Sequence, residues 1–265
     1  MRAVTIRGRR HQAGLTLVEL MIAMTLSLIL MLGVIQVFLS ARQTYSTNDA
    51  ISRMQESGRF ALTFISNSVR LGGYLEPGSI LPKPLAIQGP NCAGPDDTPC
   101  SSNGDGSASD SIAVAFQVPP DSSDSNKRRD CAGTEITTAN VGKVLVNVFR
   151  VSNGSLTCSS YFLGETAWLS QNQELVPGID AMQVLYGIST DGNPESVTRY
   201  VSANRVSKWA DVRAVRVAVL ANSQSVVTPP PPQRGYYLLD APALTPNDGL
   251  SRQIFSTTIG LKNTY

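Results

Sequence analysis

The residue most loaded with chemical consequence is a carboxylate in an apolar run. Glu19 lies among Val18, Leu20, Met21 and Ile22, and no side chain from Leu20 to Ala41 is charged. A carboxylate in hydrocarbon is costly by a few kcal/mol or more, and is by default a functional group with a partner. That partner should be a positive charge at the same depth, yet the run holds no Lys or Arg. A new α-amino group, made by cutting the chain just before Leu15, would supply one. The second reactive set is Cys92, Cys100, Cys131 and Cys158, all beyond the run. An even count in an oxidising compartment reads as disulfides, with three connectivities open. Pairing Cys92 with Cys100 is favoured as local, within a Gly/Pro/Asp loop. Pairing Cys131 with Cys158 would tie the loop around Cys131 to a hairpin. The rival, a zinc site of four cysteines, lacks any Cys-x-x-Cys pair, so no metal is expected.

Other chemistry is largely excluded. The single histidine, His11, lies near the N-terminus. A folded part without it has neither Ser-His-Asp nor Cys-His catalysis and no His-ligated metal. There is no Gly-rich phosphate loop and no nucleophile motif, so no catalytic residue and no cofactor are expected. Thr190 to Glu195 has the flavour of a calcium loop around Asp191, but it has too few alternating carboxylates and Pro194 constrains it; it reads as a turn. Asp96, Asp97, Asp121 and Asp124 read as solvated loop residues. Lys127-Arg128-Arg129 has no interleaved aromatics, and a net charge of +2 gives no case for nucleic acid. With 42% hydrophobic and 16% charged residues the chain is not a disordered polyelectrolyte.

The elements that must hold these groups begin with a basic segment, Arg2, Arg7, Arg9 and Arg10, followed by the apolar run Leu15–Leu39. As helix, Leu20 to Ala41 spans about 33 Å, enough to cross a hydrocarbon core of about 30 Å. The charge asymmetry puts the N-terminus in the cytoplasm and the bulk outside. A cleaved secretory signal fits poorly: the run is too long, and Leu39-Ser40-Ala41 is a weak site. A plain single-pass anchor fits the length. Helical spacing continues through Ile51, Met54, Gly58, Ala61, Ile65 and Val69, with Ser52, Glu56, Arg59, Thr63, Ser66 and Arg70 opposite. Gly72-Gly73 should end the helix. From Tyr74 onward alternation predicts strands over 110–118, 143–151, 156–162, 182–188, 212–220, 236–239 and 254–261, with Asn153-Gly154 as a hairpin turn.

Gly14-Leu15-Thr16-Leu17-Val18-Glu19-Leu20 resembles the class III signal of type IV prepilins. The stretches 175–187, 199–201, 212–220 and 257–263 resemble the PilW family of minor pilins. The resemblance implies cleavage after Gly14 by a prepilin peptidase, N-methylation of Leu15, and a role for Glu19 in assembly, where it compensates the amine of a neighbouring subunit. It implies an α+β type IV pilin fold, with a long helix packed on a mostly antiparallel sheet. The expected divisions are a leader over 1–14, a transmembrane half-helix over 15–41, an amphipathic half over 42–71 and a periplasmic head over 72–265. The implied function is non-catalytic, in initiation of pilus assembly and at the tip. The implied partners are other minor pilins, the major pilin, the inner-membrane assembly platform and a tip adhesin. The implied location is the inner membrane, then the pilus. A J-type pseudopilin of type II secretion shares this layout, and a membrane-anchored periplasmic protein of other function is the alternative outside the class.

Overall fold

A computed structural model of the chain describes Gly14 and residues 16–92, 94–95, 100–119, 128–191, 193 and 196–263. The leader arginines, His11, Leu15, Asp96, Asp97, Asp121, Asp124, Lys127, Gly192, Pro194 and Glu195 lie outside the described residues. The chain divides into two compact units, Met1–Thr47 and Asn48–Tyr265.

The first unit is helical. Helix α1 covers Leu17–Leu71 and stops just before Gly72-Gly73, as expected. It contains a stretch long and apolar enough to cross a membrane. Every described residue from Gly14 to Ser46 is exposed. The hydroxyls in the run are satisfied locally: Thr25 donates to the Ile22 carbonyl at 2.9 Å and Ser27 to the Ala23 carbonyl at 2.6 Å. A polar side chain in an apolar helix avoids the penalty of an unpaired group by bonding back to its own backbone.

The second unit holds the rest of α1 and two antiparallel sheets, where one was expected. The first has strands in the order β1 (Ile87–Gln88), β2 (Ile112–Gln117), β3 (Val144–Ser152), β4 (Ser155–Phe162) and β5 (Trp168–Pro177). The second is ordered β7-β6-β8-β9, from β6 (Ile179–Ile188), β7 (Arg199–Val201), β8 (Val212–Val226) and β9 (Leu250–Gly260). The principal core lies between α1 and both sheets. Met54, Ala61, Ile65 and Val69 pack with Phe149 and Leu156 of the first sheet and Met182, Val184 and Val217 of the second. The β3–β4 hairpin turns at Asn153 (φ 51°) and Gly154 (φ 73°), the pair of left-handed conformations a two-residue type I′ turn requires.

Two expectations fail. The predicted strand over 236–239 forms only a lone bridge, Tyr236 with Leu244. Its apolar side chains are spent covering β6 and β8: Tyr236 and Leu238 bury against Ala181 and Leu220. Conversely β5 was not foreseen. It is an edge strand whose middle, Gln171 to Glu174, is exposed, so the alternation that marks a half-buried strand is weak.

Candidate assembly site

At the start of α1, Glu19 is held by Thr16. The Glu19 carboxylate accepts the Thr16 backbone N–H at 3.1 Å and the Thr16 hydroxyl at 3.1 Å. In return Thr16 Oγ1 accepts the Glu19 N–H at 3.2 Å. This is a reciprocal capping box, which satisfies N–H donors that a helix start leaves open. Thr16-Leu17-Val18-Glu19 spells the Ser/Thr-x-x-Glu pattern of this cap, a local signal independent of any cation. The cap supplies hydrogen bonds but no counter-charge. Gly14 is exposed, with open space where a Cβ would stand. No placement of Leu15 is described.

In the head, α1 is fixed by shape and by two polar contacts to buried serines. Ser57 and Ser68 are eleven residues apart, about three turns, and so share a face. Gln224 Nε2 donates to Ser57 Oγ at 3.2 Å, and Asn147 Nδ2 donates to Ser68 Oγ at 3.2 Å. Gln224 reaches Ser57 from a left-handed backbone, φ 56°. A Cβ on Gly58 would overlap the Phe255 ring of β9, so only glycine admits this approach. Apolar periodicity does not mark these serines, because their hydroxyls, not their hydrophobicity, place them inside.

Cys92 pairs with Cys100 and Cys131 with Cys158, with Cα separations of 6.0 and 6.2 Å. The Tyr161 hydroxyl lies 3.2 Å from Cys92 Sγ and 3.0 Å from Cys100 Sγ. Burial pushes its phenol up to about 12.

Five carboxylates of the head are held in structural contacts. Asp110 accepts the N–H of Gly104 at 2.8 Å and of Val184 at 2.7 Å, joining the loop before β2 to β6. Burial pushes its pKa up to about 6. Asp130 accepts the Ser160 hydroxyl at 2.6 Å and the backbone N–H groups of Ala132 and Thr134. Arg252 is buried and pairs with both Asp180 and Asp248. The hydrogen bonds from Arg252 hold Asp248 down to about 2. Asp191 is exposed and accepts hydrogen bonds from Ser189, Asn193 and Ser196 of its own loop, which lower its pKa. Among the described residues no three His, Cys, Asp or Glu side chains gather as a metal site.

A long apolar helix begun by a Thr-x-x-Glu cap continues into a head of two antiparallel sheets. Residues 9–35 match the prokaryotic N-terminal methylation motif, and residues 140–263 match the family described as type IV pilus-assembly protein W. The second match takes in β3 to β9. The structure also aligns with the type IV-like pilin TTHA1219 from Thermus thermophilus, at 18% identity and a TM-score of 0.47, over 80% of this chain and 99% of that one. No curated protein matches the chain. The methylation-motif match overlaps the stretch of α1 that is long and apolar enough to cross a membrane.

Proposed function

We propose that the chain is a minor pilin of the type IV pilus. Residues 1–14 are a leader removed after Gly14 by a prepilin peptidase on the cytoplasmic side, and Leu15 is then N-methylated. Residues 15–41 hold the subunit in the inner membrane, 42–71 form the amphipathic half of the helix, and 72–265 form a periplasmic head. On assembly the apolar half-helix leaves lipid for the filament core, where apolar helices replace acyl chains around it. Glu19 then meets the methylated amine of a neighbouring subunit, which neutralises a charge that the Thr16 cap only hydrogen-bonds. The head supplies contacts to other minor pilins, the major pilin and a tip adhesin, and the assembly platform extracts the subunit. The subunit acts at initiation and stays at or near the tip. Its role is mechanical, without catalysis or cofactor.

The observation that carries this reading is register. The methylation motif, the Gly14–Leu15 junction and Glu19 fall together where α1 begins. Mass spectrometry of the mature N-terminus tests it. The expected product begins at methylated Leu15. An intact Met1 in cells with active prepilin peptidase would overturn the reading.

A further inference from the structure

The link from β8 to β9 begins with four consecutive prolines, Pro229 to Pro232. Both ends of the tract are tied to the start of β9. Val227 N–H donates to the Gly249 carbonyl at 3.2 Å, and Arg234 donates to the Arg252 carbonyl at 3.1 Å. A proline ring fixes φ, and it drives the residue before it to extended backbone, so a run of prolines favours the polyproline II helix. That helix has about three residues per turn, which puts Pro229 and Pro232 on one side. Both are exposed, whereas Pro231 is half-buried and lines a small cleft with Tyr236 and Arg252. Among the described residues, no hydrogen bond reaches the carbonyls of Pro229 to Pro232. The head thus holds one proline of the tract and presents the others.

A second feature matches it. Phe60 and Phe64 of α1 stand beside Leu175, Val176 and Pro177 of β5 and line a groove of about 440 Å³. Both rings are exposed, Phe60 by 55% and Phe64 by 41%. At about 100° per residue they lie about 120–160° around α1 from Gly58, where Phe255 of β9 packs. β5 and β9 are end strands of different sheets. The tract, tied to β9, therefore lies on another flank of α1 and does not line the groove of its own chain. The charges match as well. Glu56 lies at the groove and Arg234 follows the tract, both exposed. Among the described residues neither forms an ion pair. Arg53, the cation at the groove, is already paired with Asp49 at 3.0 Å.

We propose that the Pro229–Pro232 tract of one copy of this chain docks into the Phe60–Phe64 groove of a second copy, with Arg234 of the first beside Glu56 of the second. Grooves lined by aromatic rings recognise proline-rich segments, because the preformed helix loses little entropy on docking. Charge complementarity calls for a cation next to the occupant, and Arg234 supplies it. The other close proline pair, Pro82 and Pro84, fits less well, since Pro84 is buried. Tract and groove are different patches on different flanks, so the contact is heterologous and one copy can engage a neighbour on each side. The inference goes beyond the proposed function, which requires no contact between copies of this chain.

A benzophenone amino acid in place of Arg53, at the groove, tests it in the full-length chain in its own cells. On illumination the expected adduct has twice the mass of the chain and ends within residues 229–234 of the other copy, mapped by mass spectrometry. Pro229→Ala with Pro232→Ala should lower its yield at least about fivefold, as loss of an interface anchor does, and Pro230→Ala should not. Arg234→Glu should lower the yield as well, and Glu56→Arg in the same chain should restore it. Resistance to trypsin confirms that the head of each variant stays folded. Should the double proline variant fail that control, the charge reversal and its rescue decide alone. The proposal is overturned by an adduct indifferent to these changes, by an adduct to a different polypeptide, by an adduct within one chain, or by no adduct at all. Processing at Leu15, read on the same samples, tests the pilin reading separately.

Discussion

The two halves of α1 use the same kinds of residue to opposite ends. Before Ser46 the apolar side chains point all round and every described residue is exposed. From Ala50 the buried positions keep to one stripe, through Met54, Ser57, Gly58, Ala61, Ile65, Ser68 and Val69. The contrast repeats in the details. Gly33 has nothing within 4 Å of a would-be Cβ, whereas Gly58 is filled by Phe255. Ser27 bonds to its own helix, whereas Ser57 and Ser68 are bonded from the sheets. Apolar content alone therefore does not say what a helix packs against. A uniformly apolar surface is satisfied only by lipid or by other helices; a stripe is satisfied by one face of a head.

Four comparisons test this contrast. The largest effect should be on assembly. Glu19→Val should leave membrane insertion intact or improved and cleavage largely intact, yet reduce the protein in sheared pili to a small fraction of wild type. Wild-type incorporation of this variant, measured against the membrane pool, would make Glu19 a tolerated charge. In the head, Ile65→Asp puts an unpaired carboxyl into a fully buried site and should destabilise by about 4 kcal/mol or more. Leu30→Ala, in the exposed half, should leave head unfolding unchanged; near-UV circular dichroism of the full chain in micelles compares the two. Gly58→Val should destabilise by about 2–3 kcal/mol as the Phe255 ring is displaced, while Gly33→Val should not alter head unfolding in the same assay.

The smallest effect concerns a buried carboxylate of the head. Asp110, unlike Glu19, sits in a folded head, and burial raises its pKa to about 6. Its unfolded counterpart stays ionised between pH 7 and 5, so the folded state binds more protons there and gains stability as pH falls. The gain over that window is about 1 kcal/mol, and it is lost again as pH rises through 6. Asp248, held down to about 2, is ionised throughout and does not obscure it. Urea midpoints at pH 5, 6 and 7 should follow this slope, and Asp110→Asn should flatten it.

Much of the architecture was readable from local pattern. The unbroken helix, its end at Gly72-Gly73, the Asn153-Gly154 turn and the alternating strands of β3, β4, β6, β8 and β9 all carry their own periodicity or turn chemistry. The Thr16–Glu19 cap is spelled out locally, independent of any cation. β5 was not legible, because its polar, exposed middle lacks alternation. The failed strand over 236–239 shows the converse: alternate apolar residues also arise where a loop merely covers a sheet.

What the sequence determined by itself is what depends on neighbours along the chain: the Gly14–Glu19 motif, the all-round apolar run, the stripe from Ile51 to Val69, and a cysteine count that allows two disulfides. What only the tertiary structure decided is which distant residues meet. The division into two sheets, the reach of Gln224 and Asn147 to Ser57 and Ser68, the close approach of Phe255 to Gly58, the burial of Asp110 and the groove beside Phe60 and Phe64 are all long-range. Pairings of this kind are chosen by how α1 and two sheets share one core, and no local window of residues contains that choice.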